Sequence, residues 1–218
     1  MKNFIKFIFS NDKSILRIFQ INEISKYSLS GKCIEFGANP IKEKNFFNHA
    51  KASNAECEYS NLSSNEKEII NIDITNKTDL PDNEYNNVLI FNVLEHLPEI
   101  KITLKEINRI LKNKGKIIGS TPFLFRIHDA PKDYCRYTET FLMKSLIESG
   151  FNNIKIKALG YGPMLASFSL LRGFLKYIPV IYQLLLLVVF FIDFIIVRLM
   201  KNHPKNIYPV GYFFIAEK

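Results

Sequence analysis

Between His128 and Thr138 the chain gathers an imidazole, the carboxylates of Asp129 and Asp133, the guanidinium of Arg136 and the phenols of Tyr134 and Tyr137. An imidazole titrates near neutral pH, and a carboxylate close by can orient it or take its place, so this stretch suits proton transfer. The guanidinium suits an anionic group such as a phosphate or a uronate, and the two phenol rings suit stacking on a sugar. A second polar set lies where short apolar runs end. Glu35, Gly37, Ala38 and Asn39 close the run Lys32 to Phe36, Asp73 and Ile74 follow Ile69 to Ile72, and Asn92 and Val93 follow Asn87 to Phe91. On an open parallel sheet a nucleotide-like cofactor binds at the carboxyl ends of the strands, where backbone must approach closely and polar groups catch hydroxyls. The three runs can act together only if Gly37, Asp73 and Asn92 meet at one cleft.

The elements that would position these residues alternate along the chain. Ile15, Ile18, Phe19, Ile21 and Ile24 recur at helical spacing within 13 to 26, which predicts an amphipathic helix ahead of the first strand. Strands are expected at 32–36, 56–60, 69–72 and 87–91, with a helix from Ile41 to Lys51 that has Pro40 in its first turn. Ile100, Leu104, Ile107 and Leu111 mark the next helix, which Gly115 should end in a left-handed conformation before a strand from Lys116 to Gly119. Thr138 should cap a helix that Gly150 stops, and Ile154 to Ala158 and Tyr208 to Ala216 should be the last strands. Strand alternating with helix implies an α/β fold whose mostly parallel sheet is covered on both faces.

Length and composition narrow the class. A chain of 218 residues suits one domain, and 47 % hydrophobic residues with 19 Phe and 10 Tyr exclude disordered and fibrous classes. The net charge of +8 comes from lysines scattered along the sequence. It fits a solvated basic surface, or attraction to an anionic membrane, better than nucleic acid, since no Arg-rich run or basic-aromatic ladder occurs. Cys33, Cys57 and Cys135 stand far apart with no metal-ligand spacing, which argues against a zinc site or disulfide framework and for a reducing, cytoplasmic compartment. No metal is expected. Met1 to Ser10 makes a poor signal peptide, because Lys6 interrupts its apolar run and no small-residue cleavage site follows.

The segment Ile178 to Met200 stands out: Leu184 to Ile192 is an uninterrupted apolar run and only Asp193 breaks the next five residues, with Arg172 and Lys176 before and Arg198, Lys201 and Lys205 after. About 20 apolar residues suffice to cross a bilayer. A strand at Tyr208 to Ala216 nevertheless has to rejoin the sheet, so the segment should enter and leave on one side. It is expected to be buried, to form a homodimer, or to lie with the helix from Met164 to Phe174 as a hairpin in the membrane interface. The number of large aliphatics favours membrane contact through 164–200.

The blocks Leu80 to Leu97, Glu106 to Lys112, Gly115 to Phe123 and His128 to Thr138 resemble the core of the type 11 group of class I S-adenosylmethionine-dependent methyltransferases, in particular members associated with bacterial surface-polysaccharide synthesis. The resemblance runs from about Lys32 to Phe151, with an echo at Tyr208 to Lys218. It implies a Rossmann-like, doubly wound, seven-stranded sheet with the last strand antiparallel and a hydrophobic helical insertion before it. The single domain would divide into a helical cover (1–30), a cofactor-binding core (32–160), the insertion (161–205) and the last strand (206–218).

By matching position the resemblance implies that S-adenosyl-L-methionine is the cofactor. Gly37 would allow close approach of its methionine moiety, with Ala38 and Asn39 completing the loop, and Glu35 would hold the amino group. Asp73 and Ile74 would border the adenine, and Asn92 and Val93 the reacting methyl. Three positions depart from the family pattern: one glycine stands where two or three are usual, Asn86 stands where an Asp often precedes the fourth strand, and Asn61 stands where an acidic residue usually takes both ribose hydroxyls. Asn can accept only through one oxygen.

His128, with Asp129 and Asp133, would then be the catalytic group, and Tyr134, Arg136 and Tyr137 would bind substrate, unless Asp133 and Arg136 pair and simply pin the loop. His96 reads as structural, and His49 and His203 have no functional context. The expected activity is methyl transfer to a hydroxyl of a glycan or lipid-linked glycan precursor, from the cytoplasm or peripherally on the inner face of the cell membrane. The alternatives are a catalytically silent partner in polysaccharide assembly and a lipid or small-molecule methyltransferase.

Overall fold

A computed structural model describes residues 13–129, 131–175, 177–200 and 204–218. Expectations that fall on 1–12, Lys176, Lys201, His203 and the side chain of Lys205 lie outside the described residues. The chain runs α1 (Ile15–Ile24), β1 (Ser28–Phe36), β2 (Lys51–Asn61), β3 (Ile69–Asn71), β4 (Tyr85–Phe91), α2 (Ile100–Ile110), β5 (Leu111–Pro122), α3 (Glu139–Glu148), β6 (Asn152–Leu159), α4 (Pro163–Leu175), α5 (Pro179–Leu199), α6 (Pro204–Ile207) and β7 (Gly211–Glu217). The strands form one seven-stranded sheet in the order β3-β2-β1-β4-β5-β7-β6. β7 is antiparallel to both its neighbours, while β1, β2, β3, β4 and β5 pair in parallel. The expected α/β architecture with an antiparallel last strand and an apolar helix before it is therefore the observed one.

The period of two in β4 divides the core between the sheet's faces. Val88 and Ile90 pack with Leu104 and Ile107 of α2 and Leu142 and Leu146 of α3. Leu89 and Phe91 face the other way, toward Leu16, Ile21 and Ile24 of α1. Caps set the helix ends: Ser14 accepts from Arg17 N and Thr138 from Phe141 N, each supplying an acceptor that the first turn lacks. Because β2 lies on one side of β1 and β4 on the other, chain direction reverses between β1 and β4, which is where an open α/β sheet leaves a crevice at its strand tips.

Two local expectations fail. No helix forms over 41–51; Lys42–Lys44 and Phe47–His49 are single 3-10 turns, and β2 begins at Lys51. The backbone N–H groups of Phe46 and Phe47 are instead donated to the Glu35 carboxylate at 2.8 and 2.9 Å, which holds the segment in a looped path. After α2 the left-handed residue is Lys114 (φ 64°), not Gly115, and β5 starts at Leu111 directly from the helix.

The helices α4 and α5 form a hairpin whose inner face (Leu165, Phe168, Tyr182, Leu186 and Val189) packs on Ile15 of α1. Asp193, the one acidic residue of α5, is fully buried there. Its two carboxylate oxygens accept from Met164 N (3.0 Å) and Leu165 N (2.8 Å), two otherwise unpartnered donors of the first turn of α4. Gly162 lies against this carboxylate, where a Cβ would collide with it. The one acidic side chain of the apolar helix is thus the clamp that closes the hairpin. Replacing it by Ala (Asp193→Ala) leaves two buried N–H groups unsatisfied, and urea unfolding should show a loss of about 1–3 kcal/mol; an unchanged midpoint would mean that the clamp contributes nothing.

Candidate active site

The crevice between β1 and β4 is a cleft of about 520 Å³ bordered by Gly37, Asn61, Asp73, Ile74, Asn92 and Val93, with His96, Lys132 and Tyr134 along its outer edge. The strand-tip residues expected to converge do converge. Gly37 has φ 73°, and a Cβ there would run into Val93 Cγ2, so the first-strand loop and the residue after β4 are in contact only because position 37 lacks a side chain. Asn92 is also left-handed, at φ 54°, a conformation that Asn tolerates. Its N–H donates to Ser120 O at 2.8 Å, and Gln20 of α1 donates to its side-chain oxygen at 2.6 Å.

Other expected cofactor residues act from behind the cleft. The Glu35 carboxylate is buried and turned away, holding Phe46 N and Phe47 N. Ala38 is buried, and Asn39 folds its own loop, its side chain accepting from Ile41 N and its N–H donating to Asn45. Asn61 borders the cleft, but its amide donates to Ala38 O (2.9 Å) and its oxygen accepts from Leu62 N (2.7 Å). It ties the tips of β1 and β2 together and has little left for a ribose hydroxyl. Asp73 is exposed, and bonds from the Thr75 hydroxyl and N–H hold its carboxyl below the usual range, so it presents a fixed negative charge to the cleft.

Beyond Asn92 lies a second cavity of about 210 Å³ between α1 and the loop after β5, bordered by Arg17, Gln20, Asn92, Glu95, Arg126 and His128. Asn92 lines both spaces and is the partition between them. His128 therefore lies across Asn92 from the cofactor cleft. Its ring contacts His96 edge-on with centroids 4.9 Å apart, and burial lowers its pKa, with the neighbouring His96 adding to the effect. Glu95 is wholly buried, and desolvation pushes its carboxyl up to about 8. Reading His96 as merely structural misses its place at the cleft edge; the signal was its position next to Glu95, immediately beyond a strand tip.

The remaining residues of the 128–138 stretch hold the loop. Asp133 pairs with Arg136 through both oxygens, and the same carboxylate accepts from His128 N at 2.9 Å. Arg136 also donates to Arg126 O and Cys135 O. The Asp133–Arg136 pair therefore pins the loop, and this engagement leaves Arg136 poorly placed to bind substrate. Tyr137 is buried in the core, with its hydroxyl donating to Leu94 O and its ring stacked on Phe141, so its assignment to substrate binding is corrected. Tyr134 does line the cleft, while Asp129 is exposed and borders neither space.

Comparison with known proteins agrees with this geometry. Residues 46–119 match the sequence profile of the family described as a methyltransferase domain, a segment that starts beyond the Gly37 loop. No curated protein matches the chain by sequence. Among solved structures, an S-adenosylmethionine-dependent methyltransferase from Archaeoglobus fulgidus superposes with TM-score 0.60 at 16 % identity, covering 94 % of this chain and 92 % of that one. One from Mesorhizobium loti gives 0.58 at 12 % identity, covering 96 % and 100 %. Phosphoethanolamine N-methyltransferase 2 of Haemonchus contortus, in complex with S-adenosyl-L-methionine, gives 0.58 at 12 % identity and covers 98 % of this chain but 55 % of its own. The fold is that of the S-adenosylmethionine-dependent methyltransferases. With the domain match, it supports a methyltransferase enzyme that uses this cofactor, and a cleft of about 520 Å³ edged by Gly37, Asp73 and Val93 has the size of a cofactor site.

Glu35 makes the loop pH-sensitive. Burial raises its carboxyl from the ordinary 4.5 to about 7, opposed by the N–H groups of Phe46 and Phe47 and the charge of Arg17. Folding thus increases this group's proton affinity, so its contribution to stability is fully present below about pH 4.5 and is lost as pH rises to about 7. Glu35→Gln should reduce the slope in urea unfolding between pH 5 and 7, leaving the part that the likewise raised Glu95 carboxyl contributes. It should also lower stability by about 1–3 kcal/mol, because the amide sets an N–H donor against one of the two backbone donors.

Proposed function

We propose that this chain transfers a methyl group from S-adenosylmethionine to a hydroxyl of a glycan or lipid-linked glycan precursor at the cytoplasmic face of the cell membrane. The observation that carries the reading is the paired arrangement at Asn92, with a cofactor-sized cleft on one side and a smaller polar cavity on the other. Gly37, Asp73, Ile74 and Val93 would hold the cofactor, which supplies an activated methyl group when bound. Methyl transfer is an in-line displacement, so the main work of the protein is to fix the acceptor on the far side of the methyl. The second cavity is placed for that. An acceptor hydroxyl entering it meets His128 and Glu95, the groups at hand for its proton, and Arg17 and Arg126 suit an acceptor with an anionic group.

The membrane part rests on the hairpin. With Tyr182, Leu186, Val189 and Asp193 turned inward, α5 presents Val180, Leu184, Leu187, Val188, Phe191 and Ile195 to the outside. A stripe of that size, on a helix long and apolar enough to cross a bilayer but clamped on one side of the domain, suits shallow burial among lipid headgroups. The described flanking bases, Arg172 and Arg198, and the net charge of +8 favour an anionic surface. A lipid-linked acceptor would be found at such a surface.

Two measurements test the reading. Calorimetry should show S-adenosylmethionine binding to the purified chain and a loss of more than about a hundredfold in Gly37→Arg, with cooperative unfolding retained. A wild-type chain that binds no cofactor would leave only a methyltransferase-shaped partner protein. Separately, the chain should float with phosphatidylglycerol vesicles, and the double change Leu187→Glu with Phe191→Glu should abolish flotation while leaving cofactor binding intact. A chain that ignores vesicles and sediments as a dimer would assign the apolar stripe to a second copy instead.

A further inference from the structure

The side chains of Glu95, His96 and His128 offer ligand atoms that all lie within 4.8 Å of one another. We propose that these three residues bind a divalent transition-metal ion of the zinc class at the partition between the two cavities. Two imidazoles and one carboxylate, with a further position open, is a ligand set that such ions accept.

Three features point to an ion and not to a chance cluster. First, Glu95 is fully buried; Oε2 has a distant partner in the Thr121 hydroxyl (3.4 Å), and Oε1, 3.9 Å from His96 Nε2, has no hydrogen-bond partner. A buried carboxylate oxygen left bare is costly unless a cation meets it. Second, His96 Nδ1 lies 2.7 Å from Lys132 O. A carbonyl can only accept, so Nδ1 carries the proton and Nε2 presents its lone pair toward Glu95, the arrangement by which a second-shell carbonyl fixes a metal-binding tautomer. Third, His128 Nδ1 is a second buried atom without a hydrogen-bond partner, 3.4 Å from Asp133 Oδ2, so the cluster holds two polar atoms that nothing among the described residues satisfies.

The cluster is more open than a filled site. Bonds of about 2.0–2.2 Å place tetrahedral ligands about 3.3 Å apart, so the three groups must close by up to about 1.5 Å. His128 stands on an irregular loop and not on a strand or helix, so a small shift of that loop would bring its ring toward the other two groups. His96 borders the cofactor cleft while Glu95 and His128 border the second cavity, so the open position faces the space between them. On the reading that the acceptor enters the second cavity, an ion here would hold the acceptor oxygen and ease loss of its proton. That assigns His128 and Glu95 to the ion instead of to direct proton transfer.

The test is direct binding. Chelator-treated full-length chain, titrated with Zn²⁺ in calorimetry and with Co²⁺ in visible absorption, should take up one ion per chain. Co²⁺ should give the intense d–d bands of a low-coordinate site. His96→Ala, His128→Ala and the isosteric Glu95→Gln should each weaken binding at least tenfold. S-adenosylmethionine binding by the same preparations reports on fold and on the methyltransferase reading separately. Cofactor binding without stoichiometric metal uptake would overturn the metal site alone. So would metal uptake that the three substitutions leave unchanged, because the ions would then sit elsewhere.

Discussion

Asn92 occupies the point at which the sheet, the N-terminal helix and both cavities meet. Its left-handed backbone turns the chain sharply off the tip of β4, so that Val93 swings toward Gly37 while Leu94 to His96 drop into a 3-10 turn behind the cleft. That conformation is uncommon for a residue with a side chain and is held from both sides. Ser120 of β5 takes the N–H, and Gln20, fully buried in α1, exchanges two hydrogen bonds with the side-chain amide. Gln20 in turn donates to Ser120 Oγ, which donates to Tyr212 O of β7. A network of this kind has every member satisfied, which is the condition under which buried polar groups fix a geometry instead of weakening it. The wall between the two cavities is thereby tied to α1, β4, β5 and β7 together.

The first-strand loop uses a different device. With only one glycine it cannot rely on backbone freedom along its length, and its path is set by side chains. Glu35 draws in the N–H groups of Phe46 and Phe47, Asn39 and Asn45 close on each other, and Asn61 fastens Ala38 to the tip of β2. Phe46 then stacks on Phe91 and takes the Arg17 guanidinium over its other side, which brings α1 against the loop. Asn61 thus serves as a structural tie between the tips of β1 and β2. Asp73, on the adjoining strand tip, is the fixed negative charge that the cleft retains.

How much of this the sequence discloses depends on the range of the forces involved. Elements governed by local periodicity were legible: the 3.6-residue spacing in α2, the buried runs of β1 and β4, the Thr138 cap and the Gly150 stop all stand where pattern places them. Convergence of Gly37, Asp73 and Asn92 was legible too, because parallel strands share one tip end. Residues 41–51 were misread as helix because Ile41, Phe46, Phe47 and Ala50 mimic a helical stripe, and nothing local reveals that a carboxylate from β1 will claim two of their N–H groups. Likewise Tyr137 and Arg136 have the chemistry of substrate ligands. Their partners, Leu94 O for one and Asp133 with Arg126 O for the other, decide the matter, and only the first of these lies far off in sequence.

The hairpin shows how one residue changes the meaning of a composition. By length and apolarity α5 alone is a membrane-crossing helix, yet the chain must return to the sheet, and β7 does so between β5 and β6. Asp193 reconciles the two. At mid-bilayer its carboxylate would carry a heavy desolvation cost, whereas at the start of α4 it meets two free N–H donors and the positive end of that helix's dipole. The helix is therefore held flat against the domain by the one group that a crossing could least tolerate. Its aliphatic face stays outward, on the side of the molecule where α4 and α1 meet. Since Arg17 and Gln20 of α1 also border the second cavity, the hairpin and that cavity are joined through a single helix.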